Sequence, residues 1–280
     1  MQADIDPATL ALVREFGRHA LLAYAIALPV LLVAVMLLWA AARRWVWVHG
    51  TGRRPTPKRL AMQLGVGGGF GFVAVVMAAW LFAELAEGIG VGAAFDAFDV
   101  ALSAAVGSAL PGAAARTFAW ITHLGDSATL TVLCIAVALV LVVRGRRWLA
   151  LAWVIAVAGN ALLNVALKGV FERVRPLRGY GLEQVSGWSF PSGHSSGSVV
   201  AYGMLAYVVI RTVPARWHLP AVLVATALGF SIGCSRIFLQ AHYASDVAAG
   251  FASGTAWLTI CIVACEWVRH RAGAGRRPTA

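Results

Sequence analysis

The sequence predicts an all-α fold, a polytopic bundle of transmembrane helices. Of its 280 residues, 60% are hydrophobic and only 12% are charged, and the mean hydropathy is +0.77. A helical span needs about 20 apolar residues, because each residue rises roughly 1.5 Å through a hydrocarbon core roughly 30 Å thick. Several segments meet this requirement, so the composition excludes a soluble globular protein.

Seven apolar segments predict seven spans, and a weaker stretch predicts an interfacial helix. Within residues 88–116, a short amphipathic stretch begins at Phe95–Asp99 and ends at Pro111-Gly112, a pattern typical of a helix lying along the membrane surface. The predicted spans are 19–42, 60–85, 119–143, 148–171, 193–210, 219–238 and 243–268.

The distribution of Lys and Arg predicts the orientation of these spans. Alternate connections place 15 of the basic residues on one face and 8 on the other, and cytoplasmic loops are the richer in Lys and Arg. The C-terminus is then cytoplasmic and the N-terminus lies outside. The N-terminal segment lacks the pattern of a cleaved signal peptide, so we expect the first span to be retained. The net charge of +11 is explained by these loops, and no nucleic-acid partner is inferred.

Three polar clusters fall at the outer ends of the spans. The stretch from Ser235 to Asp246 contains Arg236 and His242, and on a helix His242 and Asp246 share a face. A His oriented by a carboxylate beside a cation suits nucleophilic attack on an anion. The alternative, an anchoring Arg with two polar residues packed between helices, stays open for this stretch alone.

The other two clusters lie at the end of the fourth predicted span and the start of the fifth. Lys168 continues a stripe that begins with Asn160 and Asn164, and Arg175-Pro176 follows. The alternative is a snorkelling Lys and an Arg anchor. Pro191-Ser192-Gly193-His194 opens the fifth span, where unpaired N–H groups can bind an anion. The alternative there is a simple N-terminal cap.

Together the clusters contain what phosphoryl transfer needs. Three cations can neutralise the phosphate oxygens, one His can attack phosphorus and another can protonate the departing oxygen. No carboxylate cluster near them resembles a metal site, so we expect no metal and no cofactor.

The segments Lys168-x6-Arg175-Pro176, Pro191-Ser192-Gly193-His194 and Ser235-Arg236-x5-His242-x3-Asp246 resemble the three-part signature of the type 2 phosphatidic acid phosphatase (PAP2) superfamily. The order and internal spacings match without a departure. The resemblance implies that His242 attacks phosphorus to form a phosphohistidine, Asp246 orients it and His194 protonates the leaving oxygen. It implies that the phosphate is bound by Lys168, Arg175, Ser192, Gly193 and Arg236.

The resemblance also implies a six-helix core, so the first span is an addition. We therefore divide the chain into residues 1–59 (the extra span and a basic cytoplasmic loop), 60–269 (the PAP2-like core) and 270–280 (a basic cytoplasmic tail). Thr122-His123-Leu124-Gly125-Asp126 resembles a looser family feature, but we interpret His123 and Asp126 as a cap at the start of a helix. In the loop 172–189 we expect solvated surface at Glu172, Arg173, Arg178 and Glu183.

These features predict a metal-independent phosphatase of a bacterial inner membrane, with its active site facing the periplasm. The expected partners are the bilayer and a lipid phosphate, and no obligatory protein partner is inferred. By resemblance the preferred substrate is undecaprenyl pyrophosphate, and the alternatives are phosphatidic acid and phosphatidylglycerol phosphate. A vanadate-dependent haloperoxidase and an anion or lipid carrier without chemistry are the other classes considered.

Overall fold

The computed structural model describes residues 6–50, 57–89, 94–176 and 187–274, and within these ranges all regular structure is helical. The predicted all-α class is therefore confirmed. In chain order the helices are α1 (Pro7–Arg18), α2 (Ala20–Gly50), α3 (Pro57–Glu87), α4 (Ala94–Ala109), α5 (Gly112–His123), α6 (Ser127–Val143), α7 (Arg147–Phe171), α8 (Gly193–Thr212), α9 (His218–Phe238) and α10 (Ala244–Ala274), with a 3₁₀ turn (Ala215–Trp217) before α9.

Helix α1 was not predicted, and it is an amphipathic helix that packs on α4. It begins with Pro7, whose missing N–H costs nothing at that position, and Asp6 caps it by accepting a hydrogen bond from Ala8 N at 3.3 Å. At Gly17 an added Cβ would lie 2.6 Å from Ala105 Cβ, so a glycine is needed for the two helices to approach this closely.

Helix α2, the additional N-terminal span, packs on α9 through an aromatic cluster. The Tyr24 hydroxyl and the Ser231 hydroxyl share a hydrogen bond of 2.7 Å. The Tyr24 ring lies 5.2 Å from that of Phe118 and 5.9 Å from that of Phe238, both in edge-to-face geometry. The extra span thus supports the helix that carries Arg236.

Helix α8 lies at the centre of the bundle and packs against α6, α7, α9 and α10. Small residues permit the close approach: an added Cβ on Gly203 of α8 would lie 2.3 Å from Leu258 of α10. Between α9 and α10, one on Gly233 would lie 2.1 Å from Phe251. Trp153 is fully buried, and its indole N–H donates to the carbonyl of Cys134 at 2.9 Å. This core supports the polar end of α8, where the candidate site lies.

Among the described residues, five helices are long and apolar enough to cross a membrane, or six if the bent pair α4–α5 counts as one span. Helix α6 is a shorter apolar helix. Helix α8 matches the predicted span 193–210, but its first two turns contain a histidine and three serines and are less apolar. The multi-pass membrane class is confirmed, while the number of seven spans stays a prediction.

The helix predicted to begin near Phe95 and to end at Pro111-Gly112 is present as α4, and its interfacial position stays a prediction. The chain bends by 117° between α4 and α5, because Pro111 disfavours helical backbone in the residue before it. The predicted span 119–143 was wrong, because it is interrupted. Helix α5 ends at His123, a turn follows, and α6 begins only at Ser127.

Candidate active site

The three polar clusters come together at one end of the bundle. Lys168 lies in the last turn of α7 and Arg175 in the segment after it, while α8 begins at Gly193. Arg236 lies in the last turn of α9, and His242 lies in the turn that leads to α10. The charges of Arg175 and Arg236 both act on Lys168, which shows how close the three cations lie.

Carbonyl groups hold the cations in place. Arg175 donates from Nε to Gly187 O at 2.9 Å and from Nη1 to Ala241 O at 2.8 Å, and it shares the carbonyl of Trp188 with the Lys168 ammonium. The Arg236 guanidinium donates to Thr122 Oγ1 at 2.7 Å. Both arginines keep the forked geometry that suits phosphate oxygens.

Ser192 caps α8 in this structure. Its hydroxyl accepts a hydrogen bond from Ser195 N at 3.4 Å, and its own N–H donates to the carbonyl of Asp246 at 2.9 Å. The N–H groups of the first turn, including that of Gly193, remain at the positive end of the helix dipole. The capping alternative therefore accounts for the Ser192 side chain, while an anion site at the backbone stays a prediction.

The amide stripe of α7 supports this turn. Asn160 and Asn164 are buried, and each donates from Nδ2 to the Ser196 hydroxyl at 3.4 Å. Asn164 also donates to the Pro191 carbonyl at 3.4 Å. On α10, an added Cβ at Gly250 would lie 2.6 Å from Ser192 O, and one at Gly254 would lie 2.9 Å from Ser196 Cα. The close packing expected of these two glycines is present.

His242 is buried and contacts a cation on one side and a carboxylate on the other. Arg175 Nη1 lies 3.1 Å from Nε2, while Asp246 Oδ2 lies 3.4 Å and Ser189 Oγ 3.3 Å from Nδ1. A guanidinium only donates, so Nε2 is the acceptor and the proton of the neutral ring lies on Nδ1. Burial lowers the pKa of His242 to about 3, against the opposing effect of Asp246. The ring is therefore neutral, and the lone pair of Nε2 faces the cations.

The expectation that His242 and Asp246 share a helix was wrong, although the pair is in contact. Helix α10 begins at Ala244, and Asp246 accepts a hydrogen bond from Tyr243 N at 2.8 Å across its first turn. This is the reciprocal half of a capping box, which draws the turn carrying His242 toward the carboxylate. Ser189 donates to the same oxygen, Oδ2. Sequence reasoning missed Ser189, since nothing in the loop distinguishes it from other serines.

The prediction that Arg173 is solvated surface, which rested on its place in a polar loop, was wrong. Its side chain is only 8% exposed and contacts three carboxylates: Asp246 at 2.8 Å, Asp96 at 2.7 Å and Asp99 at 2.9 Å. Burial disfavours the charged guanidinium, but the carboxylates outweigh this effect and raise the pKa of Arg173. A signal existed, because two aspartates in an apolar stretch require a counter-ion. Glu172 is exposed as expected, while Arg178 and Glu183 lie outside the described residues.

His194 pairs with Asp126, a residue interpreted from the sequence as a helix cap. Its Nε2 lies 2.8 Å from Asp126 Oδ1, and His123 Nδ1 lies 2.8 Å from Asp126 Oδ2. Asp126 occupies the N-cap position of α6, as expected of a helix-start cap, but its side chain makes no capping hydrogen bond to α6. The described residues include no group of three or more His, Cys, Asp or Glu side chains placed to hold a metal ion, and the expectation of a metal-free site stays a prediction.

A helical membrane bundle with a His–Asp pair, a second His and three cations at one end has the groups that phosphoryl transfer requires. Residues 147–269 of the chain match the PAP2 superfamily.

Two relatives support this match. The chain is 32% identical over 136 residues to phosphatidylglycerophosphatase B of Bacillus subtilis (strain 168), a match that covers 48% of this chain and 66% of that protein. The crystal structure of a transmembrane PAP2-type phosphatidylglycerolphosphate phosphatase from Bacillus subtilis is similar, with a TM-score of 0.63 and 26% identity. That similarity covers 74% of this chain and 98% of the solved one.

Proposed function

We propose that this protein hydrolyses the phosphate monoester of a membrane lipid, with phosphatidylglycerol phosphate as its substrate. The observation that carries the proposal is the geometry at His242: Arg175 Nη1 lies 3.1 Å from Nε2, so the lone pair of that nitrogen faces a cation. This is the arrangement of a nucleophile beside a phosphate-binding cation. The substrate follows from the names of the two relatives, both of which are phosphatases of this lipid.

In the first step, Nε2 of His242 attacks phosphorus in line with the ester oxygen. The N–P bond forms as the P–O bond breaks, and His194 gives its proton to the departing oxygen. Asp246 stabilises the positive charge that develops on His242. The phosphoryl oxygens are bound by Lys168, Arg175, Arg236, the Ser192 hydroxyl, which can still donate its proton, and the N–H of Gly193.

In the second step, water attacks the phosphohistidine. Neutral His194 takes a proton from the water as its oxygen bonds to phosphorus, and the N–P electron pair returns to Nε2 of His242. Inorganic phosphate then leaves, and His194 holds the proton needed for the next cycle. Both steps use only protons and electron pairs that these groups, the water and the substrate supply. The fixed cations neutralise the charge on the phosphate oxygens, which is the role that metal ions have in other phosphatases.

A phosphate-release assay on purified protein in detergent micelles tests this proposal. Phosphatidylglycerol phosphate, phosphatidic acid and undecaprenyl pyrophosphate form the substrate panel, each with a chelator present. We expect release from the first substrate and loss of activity in His242→Ala. Binding without release would instead indicate a carrier, and preference for undecaprenyl pyrophosphate would reject the assigned substrate. Trapping labelled protein in base, where a phosphoramidate is stable, separates a phosphohistidine from direct attack by water.

We further propose that the site faces outward from a bacterial plasma membrane, with the C-terminus in the cytoplasm. Exposed Val174 lies beside the site, and exposed Arg144 lies in the basic connection between α6 and α7. In a cysteine-free background, Val174→Cys should react with a membrane-impermeant maleimide on intact cells. Arg144→Cys should react only after permeabilisation. The reverse pattern would invert the orientation.

A further inference from the structure

The segment Thr122–Asp126, which contains the end of α5 and the turn to α6, lies against the candidate site without belonging to any of the three motif segments. Its first residue, Thr122, accepts a hydrogen bond from the Arg236 guanidinium at 2.7 Å. Its last residue, Asp126, pairs with His194 at 2.8 Å. One short segment thus contacts both a proposed phosphate-binding cation and the proposed proton donor.

Hydrogen bonds and close packing hold this turn in place, and with it the side chain of Asp126. Tyr202 of α8 donates its hydroxyl proton to the carbonyl of Leu124 at 2.8 Å, and Gly125 N donates to Thr122 O at 2.8 Å. An added Cβ at Gly125 would lie 2.4 Å from Ile232 Cγ2 and 3.1 Å from His194 Cδ2. A glycine is therefore required for the turn to come this close to the ring of His194.

The contact with Asp126 determines which nitrogen of His194 is available for chemistry. A carboxylate only accepts hydrogen bonds, so Nε2 of His194 carries a proton and donates it to Asp126 Oδ1. Nδ1 is then the nitrogen that exchanges a proton with the substrate. In the imidazolium form it donates, and in the neutral form it accepts a proton from water.

Charge supports the same arrangement. Burial and the charges of Arg236 and Arg175 all disfavour the protonated ring of His194, and Asp126 is the anion that opposes them. Burial disfavours ionisation of Asp126, but the hydrogen bonds from His123 and His194 outweigh it and lower the pKa of Asp126. An ionised Asp126 therefore stabilises the protonated state that His194 must reach before each turnover.

We propose that Asp126 is a positioning residue for the general acid: it fixes the tautomer of His194 and stabilises its imidazolium. This inference rests on the proposed function, because it assigns His194 a proton-transfer role. The site then contains two His–Asp pairs with separate tasks. Asp246 supports the histidine that attacks phosphorus, and Asp126 supports the histidine that moves the proton.

Asp126→Asn tests this inference, because it keeps the shape of the side chain and removes the charge. With a lipid phosphate, whose leaving alkoxide needs a proton, we expect kcat/KM to fall by about 10²-fold, the lower end of what a positioned acid contributes. With p-nitrophenyl phosphate, whose leaving phenolate is stable without a proton, kcat/KM should change by less than about threefold. The loss with the lipid should grow as the pH rises, because an imidazolium without its carboxylate gives up its proton more readily.

Asp6→Asn is the matched control, since Asp6 also occupies an N-cap position but lies away from the site, at the start of α1. This variant should leave kcat/KM for both substrates unchanged. A double variant completes the test. In the background of His194→Ala, Asp126→Asn should not lower kcat/KM for the lipid phosphate any further, because the two residues act as a unit.

The outcomes separate this inference from the proposed function. If the wild-type protein releases no phosphate from any lipid, the proposed function fails. If the wild-type protein is active and Asp126→Asn matches the control, the positioning role is overturned. Equal losses on both substrates, or losses that add to those of His194→Ala, would also overturn it, because they indicate a structural role for the turn.

Discussion

Arg173 provides the sharpest test of how this site is held together. It is the buried cation shared by Asp96, Asp99 and Asp246, and it also donates to the Ser245 hydroxyl at 2.7 Å. Ser245 in turn donates from its N–H to Asp99 at 3.2 Å. The network joins α4 to the first turn of α10, so it fixes the carboxylate that supports His242.

Arg173→Met keeps most of the side-chain volume and removes the charge. Three carboxylates then share a site with no guanidinium, two of them at 1% exposure or less. Removing one partner of a buried ion pair costs about 3–5 kcal/mol. We expect the free energy of unfolding to fall by about that amount. Adding Asp99→Asn should restore part of the lost free energy of unfolding, because it removes one of the carboxylate charges left without a partner.

The measurement is unfolding of the purified protein in mixed micelles, by titration with a denaturing detergent and detection of tryptophan fluorescence. Arg18→Met is the matched control. Arg18 pairs with Glu15 at 3.3 Å, but its side chain is 65% exposed, and such pairs contribute less than about 1 kcal/mol. Similar midpoints for the two variants would refute the reasoning, and so would additive effects of Arg173→Met and Asp99→Asn.

Further predictions concern packing and protonation. Gly250→Ala should destabilise the protein by about 1–3 kcal/mol, because the new Cβ would lie 2.6 Å from Ser192 O. Gly69→Ala, which meets nothing within 4 Å, should be neutral or stabilising, and a comparable loss there would contradict the packing argument. The pKa of His242 is lowered to about 3, so its ring should stay neutral as the pH falls through 6.5, and folding stability should decline in that range because only the unfolded chain takes up the proton. A ¹⁵N-histidine NMR titration from pH 8 to 5, assigned with His242→Gln, should show no shift for this residue, and a midpoint near 6.5 would contradict the assignment.

Much of the fold could be predicted from the sequence because its signals are local. An apolar segment long enough to cross a bilayer forms a helix whatever lies next to it, since no water is available to its backbone. The all-helical membrane class and most helix positions followed from this rule. The break after His123 did not, because that turn depends on contacts that α8 and α9 make with it.

The motif segments were recognisable for a similar reason. Spacings such as Arg236-x5-His242 can be counted along the chain, and their positions at the ends of apolar segments predicted that they would share a face of the membrane. Their catalytic roles still rest on the resemblance to the PAP2 superfamily and on the proposal above.

The tertiary structure alone decided the supporting contacts. Arg173 meets Asp99 across 74 positions of the chain, and His194 meets Asp126 across 68. Neither distance can be derived from hydropathy or helical periodicity, which describe only neighbouring turns. The sequence by itself therefore determined a membrane helix bundle with a motif that resembles the PAP2 signature. Packing decided which carboxylate holds each histidine, because a buried charge takes the partner that the fold brings within hydrogen-bond distance.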